Sequence, residues 1–152
     1  VFCPFAAVGG VAVLSRFPKV PGSETCVAMQ GLAAMRVETP LGKVTLASIH
    51  LHWPWPHGQA AQVDRLLPVL EALPRPVILA GDFNAVGWSH SVARIARATG
   101  NERIGPHAGS FVLPHVPYPV TIDHVLAPGG AAEVMPRLGS DHFGVLARVL
   151  PD

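Results

Sequence analysis

The chain has 152 residues, of which 49% are hydrophobic and 14% are charged. This composition is too apolar for a disordered protein, and the length suits one domain over residues 1–152 with a buried core. The formal net charge of +1 gives no strongly basic surface that would by itself indicate nucleic acid. No apolar run approaches the roughly 20 residues that span a bilayer and no signal peptide opens the chain, which predicts a soluble protein.

Cys3 and Cys26 are the only cysteines. They form no Cys-x-x-Cys pair and no spacing that indicates a zinc site or a disulfide framework. We therefore predict two buried thiols, and the cellular compartment stays open. The chain begins with Val1 rather than Met, which is typical of a processed product or a segment of a longer protein.

The first part of the chain predicts strands joined by turns. A Gly9-Gly10 break precedes the apolar run 11–14, which predicts a buried strand that enters a loop. Residues 32–38 and 43–52 flank a Thr-Pro-Leu-Gly turn, and their apolar and β-branched content predicts a hairpin. The prolines and the glycine of segment 53–58 then end regular structure.

An amphipathic helix is predicted between Gln59 and Leu73. Its apolar residues follow helical spacing and would cover a sheet; they are Val63, Leu66, Leu67 and Leu70. Pro68 lies among them, and proline in a helix interior costs about 3 kcal/mol. We therefore expect this helix to be kinked at Pro68 or broken into two pieces.

The remaining sequence predicts one more helix and two strands. Ser89 or Ser91 can cap a helix that ends near Gly100. Residues 100–118 are predicted to be a long loop, and strands are predicted over residues 120–126 and 145–150. Strands that alternate with helices and hairpins favour a mixed sheet with outer helices.

The most informative segment is 77–84, in which four apolar residues run into Gly-Asp-Phe-Asn. Such a run, bounded by turn residues, is typical of a buried strand. Because side chains alternate along a strand, Asp82 and Asn84 are expected on one face and Phe83 in the packing. The same residues also suit a plain turn or a helix cap.

Three of the five aspartates interrupt or adjoin otherwise apolar strands, and histidines lie beside them or in comparable places. They are Asp82, Asp123, Asp141, His50, His124 and His142. Burying a carboxylate costs several kcal/mol unless it is paired, hydrogen-bonded or bound to metal. A single histidine at a strand end is more often a packing or capping residue, but histidine titrates near neutral pH. Together these residues predict a site.

Four blocks of sequence occur in a fixed order along the chain. They are residues 10–16, Ser48-Ile49-His50-Leu51, Gly81-Asp82-Phe83-Asn84, and a closing pair, Ile122-Asp123-His124-Val125 with Ser140-Asp141-His142. This set resembles the endonuclease/exonuclease/phosphatase superfamily, which includes DNase I-like nucleases, abasic-site endonucleases, sphingomyelinases and inositol-phosphate phosphatases.

The resemblance implies an α+β, DNase I-like four-layer α/β/β/α sandwich with two packed mixed sheets and outer helices, here truncated at its N-terminus. It implies hydrolysis of phosphodiester or phosphomonoester bonds with Mg²⁺ or Mn²⁺. Its substrates would be esters such as nucleic acid, inositol phosphates or phospholipid headgroups. The Trp-Pro segment and the Gly-Ser-Asp-His ending resemble bacterial members whose catalytic domain often follows membrane helices, so a parent protein could be membrane-anchored. The oligomeric state is not indicated.

The same resemblance implies roles for single residues. Asp82 would orient or deprotonate the attacking water and touch a metal ion, and Asp141 would be a metal ligand. Asn84 would hydrogen-bond the phosphate or the nucleophile. His142 would contact the scissile phosphate, while Asp123 would hold its imidazole in the right tautomer.

His50 would be a second phosphate contact or an acid, and Trp53 would line a substrate groove; equally, the tryptophans could pack over the helix. The serine before Asp141 would support its loop. The chain departs from the family at its start, because the expected Asn and the Glu that is the principal metal ligand are absent before Gly10. This departure implies either a fragment of a longer domain or an incomplete site.

Two other hypotheses remain open. A zinc hydrolase could be built on His50 and His52, which alternation would place on one strand face, together with His57. This alternative assigns no role to Asp123 or Asp141. A catalytically incomplete member of the fold would keep the architecture without turnover, since a site is judged by its groups rather than by its fold.

Overall fold

The structure is a computed structural model that describes residues 1–56, 58–113 and 116–150. The described chain contains ten strands and two helices. The strands are β1 (Phe2–Pro4), β2 (Gly10–Ala12), β3 (Thr25–Val27), β4 (Leu32–Thr39), β5 (Gly42–His50), β6 (Val77–Asp82), β7 (Glu102–Gly105), β8 (Asp123–Ala127), β9 (Gly130–Met135) and β10 (Gly144–Val149). The helices are α1 (Gln59–Ala72) and α2 (His90–Thr99).

A mixed six-stranded sheet forms the centre of the molecule, in the order β3-β4-β5-β6-β8-β7. The predicted hairpin is confirmed, since β4 and β5 pair antiparallel from Leu32↔Ile49 to Thr39↔Gly42. β6 pairs parallel with β5 and antiparallel with β8. Parallel pairing requires a crossover, and α1 supplies it between β5 and β6.

Both helices cover one face of this sheet. The predicted stripe of α1 packs there, with Val63, Leu66 and Leu70 fully buried. Helix α2 begins at the cap Ser89, whose hydroxyl accepts the Val92 N–H, and ends at Gly100, as predicted. The main core therefore lies between the two helices and the central strands.

Two small antiparallel sheets cover the opposite face. The β1-β2 pair packs over β4, where Cys3 and Val11 join Ala33 and Met35 in a second core. The β9-β10 pair packs over β8 in a third core. In the described residues the predicted second mixed sheet is thus present as two antiparallel pairs, and both helices lie on one side of the α+β fold.

Helix α1 runs unbroken from Gln59 to Ala72 with Pro68 inside it. The prediction that the helix could break into two pieces there was wrong. Pro68 is exposed, so the carbonyl that loses its helical partner faces solvent and can bond water.

The region predicted as a loop over residues 100–118 contains strand β7, and β9 was not predicted at all. Both are short and carry glycine, which weakens any local strand signal. β7 forms because β8 offers a free edge, and β9 forms because β10 pairs with all six of its residues. Tertiary pairing rather than local preference determines such strands.

Cys3 and Cys26 form a disulfide, which corrects the prediction of two free thiols. Their Cα atoms are 5.3 Å apart although the residues are separated by 23 positions. Only the packing of β1 against the edge strand β3 brings them together, and spacing in the sequence does not reveal it. None of the helices in the described part of the chain is long and apolar enough to cross a membrane.

Candidate active site

Strand register places three of the predicted site residues side by side. His50 ends β5 opposite Asp82, which ends the parallel strand β6. Asp82 in turn lies opposite Asp123, which begins the antiparallel strand β8. Residues directly opposite each other in a sheet project to the same face. All three side chains therefore point to the face opposite the helices, at one end of the sheet.

His142 joins this group from the loop before β10. Its Nδ1 lies 2.8 Å from Oδ2 of Asp123, and both side chains are partly buried. The Phe111 ring packs against the imidazole with ring centroids 4.5 Å apart. A carboxylate accepts a hydrogen bond, so Asp123 fixes the tautomer with the proton on Nδ1 and leaves Nε2 free.

Asp82 is held by the turn that follows it. The backbone N–H of Asn84 donates to Oδ1 of Asp82 at 2.7 Å. Burial raises the pKa of Asp82 to about 6; the Asn84 hydrogen bond opposes this shift, and the negative charges of Asp123 and Asp141 add to it. At neutral pH the carboxylate is thus ionised but basic enough to accept a proton.

Asn84 lies beyond the strand, because β6 ends at Asp82. It has a positive φ of 46° and is almost fully buried, and its side-chain amide donates to the carbonyl of Leu51 at 2.8 Å. Strand alternation therefore does not orient Asn84, and its backbone follows a turn, as the alternative interpretation of this segment predicts. Phe83 is buried in the core, as predicted.

His50 faces the same carboxylate, with Nε2 3.6 Å from Oδ2 of Asp82. Burial lowers the pKa of His50, and the neighbouring His52 and His142 lower it further. The ring of Phe5 packs against His50 with centroids 4.6 Å apart. At neutral pH His50 is a neutral imidazole, which can donate one hydrogen bond and accept another.

Asp82, Asp123 and His142 each offer a ligand atom within 4.8 Å of the others. Within the described ranges this is the one group of three or more His, Cys, Asp or Glu residues that could hold a metal ion. Asp141 is exposed and lies outside the group, although its charge contributes to the raised pKa of Asp82. Carboxylate oxygens are the ligands that hard divalent cations prefer.

The zinc alternative gains no support among the described residues. β5 ends at His50, and His52 lies past the strand with its ring against Phe5. His57 lies outside the described residues. Trp53 lies in the loop after β5 and is 38% exposed, so it is free to meet a ligand.

His124 does not belong to the site. It lies on the helix side of β8, fully buried, and its Nε2 is 2.8 Å from the carbonyl of Ala85. Burial lowers its pKa, so the neutral ring donates this hydrogen bond. His124 therefore supports the loop after β6 rather than the chemistry.

Two buried glutamines in the first turn of α1 hold the site loops, and the sequence interpretation missed them. The amide of Gln59 donates to the carbonyls of His52 and Phe83 at 2.6 and 2.9 Å. Gln62 donates to the carbonyl of His50 and accepts the His52 N–H. The available signal was their position, because both lie on the apolar stripe of an amphipathic helix.

Ser110 was also missed. Its hydroxyl is fully buried and accepts the backbone N–H of Asp123 at 3.1 Å, while its carbonyl accepts the Phe143 N–H. It therefore ties the start of β8 to the loop of His142. No local pattern distinguishes it, because it lies within the segment predicted as a loop.

A large groove lies at the other end of the sheet. It has a volume of about 670 Å³ and is lined mainly by apolar residues, among them Phe17, Leu41, Ile78 and Val149. It contains no cluster of acids and histidines. The candidate active site is therefore assigned to the Asp82 end by its chemistry rather than by cavity size.

Comparison with solved structures shows the same fold in several proteins. An endonuclease/exonuclease/phosphatase from Beutenbergia cavernae has a TM-score of 0.65 and 24% identity and covers 88% of this chain and 45% of that chain. Sphingomyelinase C from Streptomyces griseocarneus has a TM-score of 0.62 and 18% identity, covering 90% and 66%. A double mutant of beta toxin from Staphylococcus aureus with bound magnesium ions has a TM-score of 0.64 and 11% identity, covering 90% and 66%.

This chain thus spans 45% to 66% of the length of these three structures. No curated protein sequence matches it significantly. The sequence profile of the Endonuclease/Exonuclease/phosphatase family matches residues 2–142, which is nearly the whole chain. The resemblance carried by the four blocks and the DNase I-like α+β architecture are confirmed, and this chain belongs to the endonuclease/exonuclease/phosphatase family.

Proposed function

We propose that this chain hydrolyses phosphoester bonds with the help of a divalent metal ion. The observation that carries the proposal is that Asp82, whose pKa is about 6, lies next to the hydrogen-bonded pair of Asp123 and His142. The family is one of phosphoester hydrolases. Of the proteins with the same fold, the beta toxin mutant has bound magnesium ions and another is a sphingomyelinase. These observations support the reaction class.

Asp82 acts as the base that orients and deprotonates the attacking water. Its Oδ1 is occupied by the Asn84 N–H, which leaves Oδ2 to face the water. The water oxygen adds to phosphorus as Oδ2 of Asp82 takes its proton, and the bond from phosphorus to the leaving oxygen breaks. The leaving alkoxide takes a proton from solvent water, and Asp82 returns its own proton to solvent. A base whose pKa lies near the working pH is suited to such a transfer.

His142 contacts the phosphate through Nε2, because Asp123 already occupies Nδ1. The Nε2 atom carries a proton beside the Nδ1–H only in the doubly protonated ring, and in that form His142 donates to the phosphoryl oxygens and stabilises the charge that builds on them. His50, on the other side of Asp82, is a second donor to the phosphate. Asn84 shapes the turn that follows Asp82, and Trp53 contacts the rest of the substrate.

Asp141 lies outside the group of three but acts on Asp82 through its charge. These two carboxylates are hard oxygen ligands and would together hold Mg²⁺ or Mn²⁺. When bound, it neutralises charge on the phosphoryl oxygens. Asp123 is less suited as a ligand, because its Oδ2 already accepts the His142 hydrogen bond. We therefore expect Mn²⁺ affinity, measured by isothermal titration calorimetry, to fall more in Asp141→Asn than in Asp123→Asn.

Hydrolysis of bis(p-nitrophenyl) phosphate and p-nitrophenyl phosphate tests the activity, with Mn²⁺ or Mg²⁺ and with EDTA. We expect metal-dependent turnover that falls by about 10²- to 10⁴-fold in Asp82→Ala and His142→Ala. Arg148→Ala, an exposed change on β10, is the control and should keep the wild-type rate. A wild-type chain that hydrolyses neither ester would favour the alternative, a member of the fold without turnover.

A further inference from the structure

Six loops surround the Asp82 end of the sheet, and we call them the site-end loops. Among the described residues they are 5–9, 28–31, 51–56 with 58, 83–89, 106–113 with 116–122, and 136–143. Those after β5 and β6 leave from His50 and Asp82, and the loop before β8 leads into Asp123. The others reach the same place through contacts with site residues.

These contacts are direct. Phe5 stacks on His50 with centroids 4.6 Å apart, and the carbonyl of Gly31 accepts the His50 N–H at 2.8 Å. His142 itself lies in the loop between β9 and β10. The site-end loops therefore lie beside the candidate active site, and together we call them its rim.

The rim exposes many large apolar side chains. They are Val8 (91%), Met29 (53%), Trp53 (38%), Trp55 (85%), Trp88 (87%), Val112 (39%), Tyr118 (65%) and Leu138 (93%). Single exposed apolar residues are ordinary on protein surfaces, but a concentration of them around one site indicates a binding surface. All three tryptophans of the chain are in this set.

The rim also carries almost no charge. The chain has 11 Lys and Arg and 10 Asp and Glu residues, yet Arg137 and Asp141 are the only ones in the site-end loops. A nucleic-acid strand is held by several Lys and Arg contacts to its phosphates, which this rim cannot provide. Tryptophan, tyrosine and aliphatic side chains without charge are suited to the interface between lipid and water.

We propose that the site-end loops dock on a phospholipid surface, so that the phosphoester of a lipid headgroup meets Asp82 and His142. Trp55 and Trp88 enter the interface from the loops after the two strands that carry His50 and Asp82. The catalytic part of this statement rests on the proposed function, whereas docking on lipid does not.

Sedimentation with phosphatidylcholine vesicles tests the docking, in EDTA so that no hydrolysis occurs. We expect the wild-type chain and Asp82→Ala to sediment equally with the vesicles, and to do so still in about 0.5 M salt, because apolar contacts are not screened. The double variant Trp55→Ala, Trp88→Ala should have a partition coefficient onto the vesicles that is lower by about tenfold or more. Each tryptophan can bury about 150–250 Å² in the interface, and both side chains are lost. Leu41→Ala is the matched control, because Leu41 is 78% exposed but lies in the β4-β5 turn at the opposite end.

Three results would overturn the docking proposal: a wild-type chain that stays in the supernatant, a double variant that sediments like the wild type, or an oligonucleotide that displaces the chain from vesicles. The last result would assign the tryptophans to base stacking. Hydrolysis of soluble bis(p-nitrophenyl) phosphate separates the two proposals. If the chain hydrolyses the soluble ester but does not bind vesicles, only the docking proposal is contradicted. If it binds vesicles but hydrolyses no ester, only the proposed function is contradicted.

Discussion

The imidazole of His50 and the carboxylate of Asp82 face each other across the ends of two parallel strands, with Nε2 3.6 Å from Oδ2. Burial acts on both groups in the direction that disfavours charge. It raises the pKa of Asp82 to about 6 and lowers that of His50. Near pH 7 the pair therefore consists of a carboxylate that is a usable base and a neutral imidazole.

Acid should inhibit the proposed hydrolysis at a pH that is unusually high for a carboxylate. The rate requires ionised Asp82, so kcat/KM for bis(p-nitrophenyl) phosphate should fall as the pH drops through about 6. An unperturbed aspartate would lose its charge only near pH 4. The measurement is a pH profile from about 4.5 to 8 at limiting metal. A bound cation would lower the midpoint, so the midpoint should move down as the Mn²⁺ concentration rises.

Replacing the same carboxylate should stabilise the fold at neutral pH. Because its pKa is higher folded than unfolded, the folded state holds the proton more tightly, and stability is lost as the pH rises from about 4 to 6. Asp82→Asn removes this cost, which is at most about 3 kcal/mol at pH 7 and small near pH 4. Urea unfolding in EDTA at both pH values measures it. The exposed change Glu71→Gln is the control, and an equal effect of Asp82→Asn at both pH values would contradict the assignment.

The Asp123 and His142 pair should govern the rate more than the fold. Asp123→Asn keeps the shape of the side chain but loses the charge that fixes the proton on Nδ1. We expect kcat to fall by about 10²- to 10⁴-fold with little change in unfolding free energy. A downfield proton resonance from the Nδ1–H of His142 should disappear in the variant. Asp64→Asn, an exposed carboxylate paired with Arg94, should leave both the rate and the resonance unchanged.

Gln59 should stabilise the loops that flank the site. Gln59→Leu leaves the carbonyls of His52 and Phe83 without their donor and the Ser91 hydroxyl without its acceptor. Each buried group left unpaired costs about 1–3 kcal/mol. Calorimetry should show a lower melting temperature, and hydrogen exchange should show faster opening of residues 51–56 and 83–89. Arg65→Leu, an exposed change on the same helix, should show neither effect.

Reduction of the Cys3–Cys26 disulfide should destabilise the protein. It closes a loop with a sequence separation of 23, for which the chain-entropy model gives about 3 kcal/mol. Melting in the presence and absence of a reducing agent measures this difference. The variant Cys3→Ser, Cys26→Ser should melt like the reduced protein under both conditions, and a wild-type melting temperature insensitive to reduction would contradict the prediction.

The sequence alone predicted the elements with a strong local signal. The β4-β5 hairpin, the β6 strand and the α2 cap at Ser89 follow from apolar runs, turn residues and capping chemistry. The residues of the candidate site were also named from the sequence, because acids beside apolar strands require an explanation. The four sequence blocks that resemble the family assigned these residues to one site before any distance was known.

Only the tertiary structure decided how these residues meet. The register of β5, β6 and β8 sets His50, Asp82 and Asp123 in one row, and a register shift of one residue would turn a side chain to the helix side. The disulfide, the short strands β7 and β9 and the glutamines of α1 likewise depend on partners distant in the chain. Local sequence determines the preference for a strand or a helix, whereas long-range packing selects the partner of each strand or helix. The candidate site depends on long-range packing, because its residues come from separate strands and loops.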